Sequence, residues 1–330
     1  MQYHHYKDEE RIVCLLCKHY CILKEGKSAI CGVNFNENAT LLNKTYGYPS
    51  AINLDPIEKK PLYHFMPKTA SLSIGTVGCN FRCPFCQNHS ISQTNELQSK
   101  QYFSPQDIVS LALKHKADSI SYTYNEPTIW YPYAKDIGVL AKENGLRNIF
   151  VSSGYESNEV FEDMKNWLDA INVDLKSFNE EYYKKTLKTN LGGVVENLIK
   201  FAKSDIHLEV TTLIIPDVND SSEEIEKMAE FIVCELGHET PWHLSAFHPD
   251  YKMLDTPHTP LATLQMAKDI AKRYGLKYVY IGNVKNDNST YCPECGELLI
   301  QRDGFRVGVV NIKDSKCKNC SYKIKGVFDG

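Results

Sequence analysis

The residues best equipped for chemistry are Cys79, Cys83 and Cys86, in the stretch GTVGCNFRCPFCQNHSISQ from Gly75 to Gln93. Their spacing is C-x3-C-x2-C, with Phe85 just ahead of the last thiol. A structural zinc ion asks for four protein ligands closed into a tetrahedron. A cubane iron–sulfur cluster has four irons, each needing an outer ligand, and cysteine thiolates normally supply all of them. A loop that offers only three thiolates leaves one iron open to bind something else. The competing reading is a zinc knuckle that borrows a fourth ligand, such as His89.

Two further cysteine groups flank this loop. Cys14, Cys17, Cys21 and Cys31 are spaced C-x2-C-x3-C-x9-C, enough ligands for a closed site. Zinc and a second iron–sulfur cluster both remain open there, and the uneven spacing, unlike a ferredoxin run, inclines the reading to zinc. His19 could replace one cysteine or be a solvated loop residue. Near the other terminus, Cys292, Cys295, Cys317 and Cys320 form two knuckles, C-x2-C-x21-C-x2-C, around short strands at 298–301 and 306–310. That pattern predicts a zinc ribbon, with a rubredoxin-like iron site as the alternative. So short a segment buries little core, and a structural metal would explain how it folds. Cys234 falls at an apolar position of a helix and reads as core.

The elements that must position these groups follow from periodicity. Short apolar, β-branched runs at 71–77, 119–124, 148–152, 170–175, 207–215, 242–247 and 278–281 read as strands. Amphipathic helices alternate with them, one opening at Pro105, one at Ser221–Glu224, and one running from Leu261 to a stop at Gly275. Alternating strand and helix predicts an α/β domain with a parallel sheet. The number of units suggests an open, partial (β/α)6-type TIM barrel. The expected organisation is a Cys-rich metal-binding module at 1–68, the partial barrel at 69–285, and the zinc-ribbon-like module at 286–330. Three prolines at 56, 61 and 67 make the end of the first segment an ordered connector, whose aromatic residues pack on the domain that follows.

With 42% hydrophobic and 24% charged residues among 330, composition is that of a globular protein. A formal net charge of -4 gives no nucleic-acid footprint. No apolar run approaches the roughly 20 residues of a membrane span, and the N-terminal stretch shows no signal-peptide pattern. The expectation is a cytoplasmic protein whose cysteines are reduced and bind metal rather than pair as disulfides.

The cysteine loop, placed after the apolar residues Leu72, Ile74 and Val77, resembles the signature of the radical S-adenosylmethionine (radical SAM) enzymes. The order of motifs narrows the likeness. CGVN, DPIEKKPLYHF, the cysteine loop, YTYNEPTIW, DLKS, HLSAFHPDYKM and YVYIGNV before CPECG resemble the radical SAM proteins of the AmmeMemoRadiSam system, relatives of the pyruvate formate-lyase activating enzymes. The resemblance implies a 4Fe-4S cluster on Cys79, Cys83 and Cys86, with SAM on the open iron. It implies reductive cleavage of SAM to methionine and a 5'-deoxyadenosyl radical that takes hydrogen from a substrate. Reduced flavodoxin or ferredoxin would be the electron donor.

The resemblance also marks cofactor-binding candidates at the strand ends: Phe85 in the loop, Asn125 and Glu126 for the SAM ammonium, and Ser152 for its carboxylate or ribose. Lys176 would meet the carboxylate beside Asp174, and His243 the adenine edge, with Ile214 and Ile215 packed against the base. Two departures from the activating enzymes are visible. Val151 stands where they carry an aspartate, and Thr211 where they carry an arginine. No substrate follows; it could be a protein, a peptide or a small molecule. The alternatives are an activase that forms a glycyl radical on a partner protein and, from another class, a zinc-scaffolded adaptor protein.

Overall fold

A computed structural model of the chain describes residues 3–8 and 10–328. Its centre is an eight-stranded sheet of β1 (Ala51–Pro56), β2 (Ala70–Gly75), β3 (Ser119–Tyr122), β4 (Arg147–Ser152), β5 (Ala170–Asp174), β6 (His207–Ile214), β7 (Trp242–Ala246) and β8 (Val279–Gly282). Spatial order equals chain order, β1 to β8. Strands β2 to β8 run parallel to their neighbours, and β1 joins β2 antiparallel, Ala51 opposite Gly75 and Pro56 opposite Ala70. All seven parallel strands fall where periodicity puts them. The eighth, β1, lies in the stretch assigned to the N-terminal segment. It is an edge strand, where a closing proline costs no ladder bond.

The principal helices between the strands are α1 (Pro105–Lys114), α2 (Tyr131–Glu143), α3 (Asn158–Met164), α4 (Leu191–Ala202), α5 (Ser222–Phe231) and α6 (Leu261–Arg273). Their starts are chemically marked. Ser104 and Asp107 cap α1 reciprocally with Pro105 at the first helical position, and Ser221 accepts from Glu224 N to open α5. Apolar faces such as Ile108, Val109 and Ala112, or Ile225, Met228 and Ala229, bury against one side of the sheet.

The sheet has two unlike faces. Leu72, Ile74, Ile120, Tyr122, Phe150, Ile171, Val173, Leu208, Val210 and Leu244 point toward the helices and form the main core. The alternate residues point the other way, as strand pleating requires, and many are polar: Ser71, Ser121, Asn172, Glu209 and His243 are all buried. The 57–66 connector fills one end of this interior. Ile57, Leu62, Phe65 and Met66 pack with Ile149 and Ala170, each large apolar side chain contributing about 1.5–3 kcal/mol on burial. Polar strand residues clasp its backbone: Asn172 Nδ2 donates to Pro61 O at 2.8 Å, and Glu209 accepts from Tyr63 N at 3.0 Å and His64 N at 2.7 Å.

Small sheets lie at both ends of the chain. His4–Tyr6, Arg11–Cys14 and Ile22–Lys24 make a three-stranded antiparallel sheet, followed by the hairpin Asn34–Glu37 and Thr40–Asn43. Thr290–Tyr291, Leu298–Asp303 and Arg306–Val310 form another, and its Arg302 donates to Tyr63 O at 2.6 Å. Among the described residues no helix is long and apolar enough to cross a membrane.

Candidate metal and cofactor site

The cysteine loop leaves the C-terminal end of β2. Asn125, just past β3, pins its start: Nδ2 donates to Thr76 Oγ1 at 3.1 Å and Gly78 O at 2.9 Å, while Oδ1 accepts from Trp130 Nε1 at 3.1 Å. Arg82 reaches back to Cys79 O at 2.7 Å and Phe81 O at 3.0 Å. Cys79 and Cys83 are buried and Cys86 half-buried. Phe81 N donates to Cys79 Sγ at 3.4 Å, and Cys86 Sγ lies 3.0 Å from Ser92 Oγ. Burial raises the Cys79 pKa well above the ordinary thiol range, and it pushes Cys83 up to about 12 against the pull of Lys176. Such thiols become thiolates when a metal supplies the compensating positive charge.

All three cysteines face a cavity of about 780 Å³ across the C-terminal ends of the strands. Strand parity selects Val151 and Ser153, Asp174 and Lys176, Thr211 and Leu213, and His243 and Ser245; past the end of β3, where Tyr124 has φ +72°, Thr123, Tyr124 and Asn125 all line it. Phe85 lines it too. Lys176 Nζ sits 2.9 Å from Asp174 Oδ2. Burial opposes the Lys176 charge, but Asp174 and the Cys83 sulfur outweigh it and hold its pKa above the ordinary value. Thr211 Oγ1 is buried in the same wall with no protein partner.

Four expectations change. Glu126 does not line the cavity; it is buried with its oxygens filled by Thr128 N at 3.1 Å, Thr128 Oγ1 at 2.7 Å, Ser152 Oγ at 2.8 Å and Ser153 N at 2.8 Å. Ser152 turns away with it, its Oγ also lying 2.6 Å from Glu156 Oε1. Ser152 lies one residue from the inward-facing Val151 and Ser153, so strand parity withholds the contact, and Glu126, beyond the end of β3, caps the turn Pro127–Trp130 instead. Ile214 and Ile215 are wholly buried outside the cavity, and Thr211 and Leu213 take that wall. His243 does face the cavity, but its Nε2 is engaged by Glu209 Oε2 at 2.6 Å and its ring by Tyr280 at 5.3 Å, leaving Nδ1 for a ligand. Glu209, Tyr63 and Tyr280 were not singled out by sequence; an acidic residue at an inward position of an apolar strand was the available signal.

The remaining cysteine groups differ in geometry. A tetrahedral ion with Zn–S near 2.3 Å sets its sulfurs about 3.8 Å apart. Cys292 and Cys320 sulfurs are 3.6 Å apart and those of Cys295 and Cys317 3.8 Å. Among the described residues, these four are the set of three or more His, Cys, Asp or Glu side chains whose ligand atoms all lie within 4.8 Å. They form a metal-binding cluster. Neither the loop cysteines nor the N-terminal four draw together so closely. His89 pairs with Asp250 at 3.3 Å and stacks on Tyr251 at 4.7 Å, away from the role of fourth zinc ligand. His19 Nε2 lies 3.1 Å from Asn80 O. Cys234 is exposed rather than core.

An open, mostly parallel sheet carrying three cysteines at the end of its first parallel strand is the arrangement of radical SAM enzymes. The radical SAM superfamily profile matches residues 73–232. That stretch is a radical SAM domain, and the chain is an enzyme of that class. It is 42% identical over 323 residues, 96% of each chain, to the uncharacterized protein MJ0808 of Methanocaldococcus jannaschii. It is 25% identical to the pyruvate formate-lyase-activating enzyme of Staphylococcus epidermidis, over 62% of this chain and 86% of that one. In fold it is similar to a radical SAM methyltransferase from Sphaerobacter thermophilus, with a TM-score of 0.53 at 12% identity covering 85% of this chain and 77% of the other. It is similar also to Streptococcus suis SuiB bound to S-adenosylmethionine, with a TM-score of 0.52 at 11% identity over 68% and 52%.

Proposed function

We propose that Cys79, Cys83 and Cys86 hold a 4Fe-4S cluster whose open iron binds SAM in the adjoining cavity. The observation that carries this reading is the convergence of three buried thiols with Lys176, Asn125 and His243 on one cavity at the strand ends. The donor set fits: three loop thiols that do not all lie within 4.8 Å of one another suit a group that gives each sulfur its own iron. When bound, that cluster and SAM supply a 5'-deoxyadenosyl radical able to abstract hydrogen. The chain's own residues prepare the place. Lys176 offers a desolvated positive charge to a carboxylate, Asp174 holds that charge in position, and Asn125 fixes the loop. Thr211 Oγ1 and His243 Nδ1 remain free for the nucleoside.

The substrate is a protein, a peptide or a small molecule, and reduced flavodoxin or ferredoxin delivers the electron. The names of the activating-enzyme relatives favour a protein substrate, hence a second reading in which the chain forms a glycyl radical on a partner. Motif order supports the AmmeMemoRadiSam group and a partial barrel between a Cys-rich segment and a zinc ribbon, and metal-binding rather than disulfide-paired cysteines favour a cytoplasmic setting. A zinc-scaffolded adaptor would leave the polar cavity without a purpose.

Anaerobic reconstitution with iron and sulfide, reduction with dithionite and addition of SAM should yield 5'-deoxyadenosine by mass spectrometry. The combined variant Cys79→Ala, Cys83→Ala, Cys86→Ala should yield none. A fully cluster-loaded protein that fails to bind SAM would overturn the proposal.

A further inference from the structure

We infer that Cys14, Cys17, Cys21 and Cys31 hold a second iron–sulfur cluster rather than zinc, set against the cysteine loop so that an electron can pass between the two. It rests on the function proposed above only for the electron's destination.

The first ground is spacing. The same structure that closes the C-terminal four into tetrahedral range leaves the N-terminal four wider. Four thiolates that each bind a different iron must stand further apart than four on one ion, and these cysteines share that property with the loop three. The second ground is surroundings. Cys14, Cys17 and Cys31 are buried within the main core beside Ile12, Leu16, Leu23 and Val33, and Cys21 packs against it. Buried Asn34 Nδ2 donates to Cys31 Sγ at 3.3 Å, the N–H to sulfur contact that tunes such clusters.

The third ground is the junction with the loop. Gly78 has φ +88°, and a Cβ there would meet Cys31 O and Val33 Cγ1 at 2.8 Å, so the backbones of the two groups are in contact. Arg82 of the loop donates to Ile30 O. Asn80 lies between the two groups: its Oδ1 is 3.9 Å from Cys79 Sγ, and its backbone O is 3.1 Å from Nε2 of His19, the residue between Cys17 and Cys21. Asn80 is wholly buried, yet its Nδ2 has no partner. An unpaired buried N–H donor is costly and would be satisfied by a thiolate or sulfide of a bound cluster.

Zinc carries no electron, and a structural ion needs no such bridge. An iron–sulfur cluster at this place accepts one electron from reduced flavodoxin or ferredoxin and passes one to the loop site. The donor is oxidised by one electron, the loop site reduced by one, and no bond or proton changes hands at the cysteines.

The test is iron, sulfide and zinc content with low-temperature EPR on full-length anaerobic protein, wild type beside the triple loop variant Cys79→Ala, Cys83→Ala, Cys86→Ala. The variant should keep about four irons and four sulfides per chain, half the wild-type load, with an isolated reduced-cluster signal. Reduced wild type should show that signal broadened by coupling to its neighbour. A loop variant with no iron and two zincs overturns the inference. If wild type and loop variant carry the same four irons, the second cluster stands and the proposed function falls. Cys17→Ser with Cys31→Ser should remove the remaining iron; should that variant not fold, the loop variant decides alone.

Discussion

Glu209 Oε2 and His243 Nε2 lie 2.6 Å apart in the interior of the sheet, and the other carboxylate oxygen meets His207 Nε2 at 3.0 Å. Both oxygens also accept backbone N–H groups of the 57–66 connector. Burial alone would raise the Glu209 pKa, but His207 and His243 reverse it and hold the group well below the usual carboxylate range. One ionised side chain therefore fixes a cavity-wall histidine and the plug beneath it. Glu209→Ala removes a fully buried charge from its partners and should cost about 3–5 kcal/mol, read as a lowered urea midpoint. Faster proteolysis within 57–68 should accompany it.

Glu156 gives a pH signature. Burial first, and the neighbouring Glu126 charge second, push it up to about 7 from 4.5. The folded protein then binds a proton between about pH 4.5 and 7 that the unfolded chain has released, so this group's contribution is present below pH 4.5 and is lost as pH rises to 7. The full effect is on the order of 3 kcal/mol. Glu156→Gln should flatten that part of the stability profile, which chemical denaturation at successive pH values would show.

Lys176→Ala should weaken SAM binding about tenfold to a hundredfold, the loss of one hydrogen bond to a charged group. The fold should stand, because the Asp174 side chain left behind is 38% exposed and stays hydrated. Titration of anaerobic, cluster-loaded protein measures this, and unchanged affinity removes Lys176 from the site.

Cys295→Ser together with Cys320→Ser should release one bound metal ion per chain and unfold the sheet around Leu298–Asp303, whose own core is small. The displaced Arg302 would leave the Tyr63 ring, which it now covers at 4.3 Å from the centroid. Metal analysis and loss of Tyr63-region protection in hydrogen exchange check both halves.

Gly78→Ala combines a positive φ with a Cβ at 2.8 Å from Cys31 O. Backbone strain of about 1–3 kcal/mol should part the loop from the N-terminal cysteines. The expected readout is lost EPR coupling before any loss of total iron.

Much of this was legible in the chain. Seven strands announced themselves through β-branched runs, and Ser104, Pro105 and Ser221 marked helix starts through cap chemistry that is local by nature. Asp174, Lys176 and His243 line the cavity because they lie on the inward parity of their strands. Ser152 stands off the cavity because a one-residue offset along a strand reverses a side chain, and no local signal reports which parity faces in when both faces are buried; Glu126, past the strand end, caps the turn that follows. The Glu209 network escaped for a different reason: Tyr63, Glu209, Tyr280 and Arg302 are far apart in the chain and meet only through the sheet.

Spatial order equals chain order in the central sheet, and this shapes how the molecule can be made. Each new strand docks beside the one synthesised just before it, so the sheet can grow at one edge while the rest of the chain is still on the ribosome. Contacts that break this order include that of Arg302, which must find Tyr63 across most of the sequence. That late clasp means that the chain must be made through Arg302 before a cofactor meets the cavity's final walls.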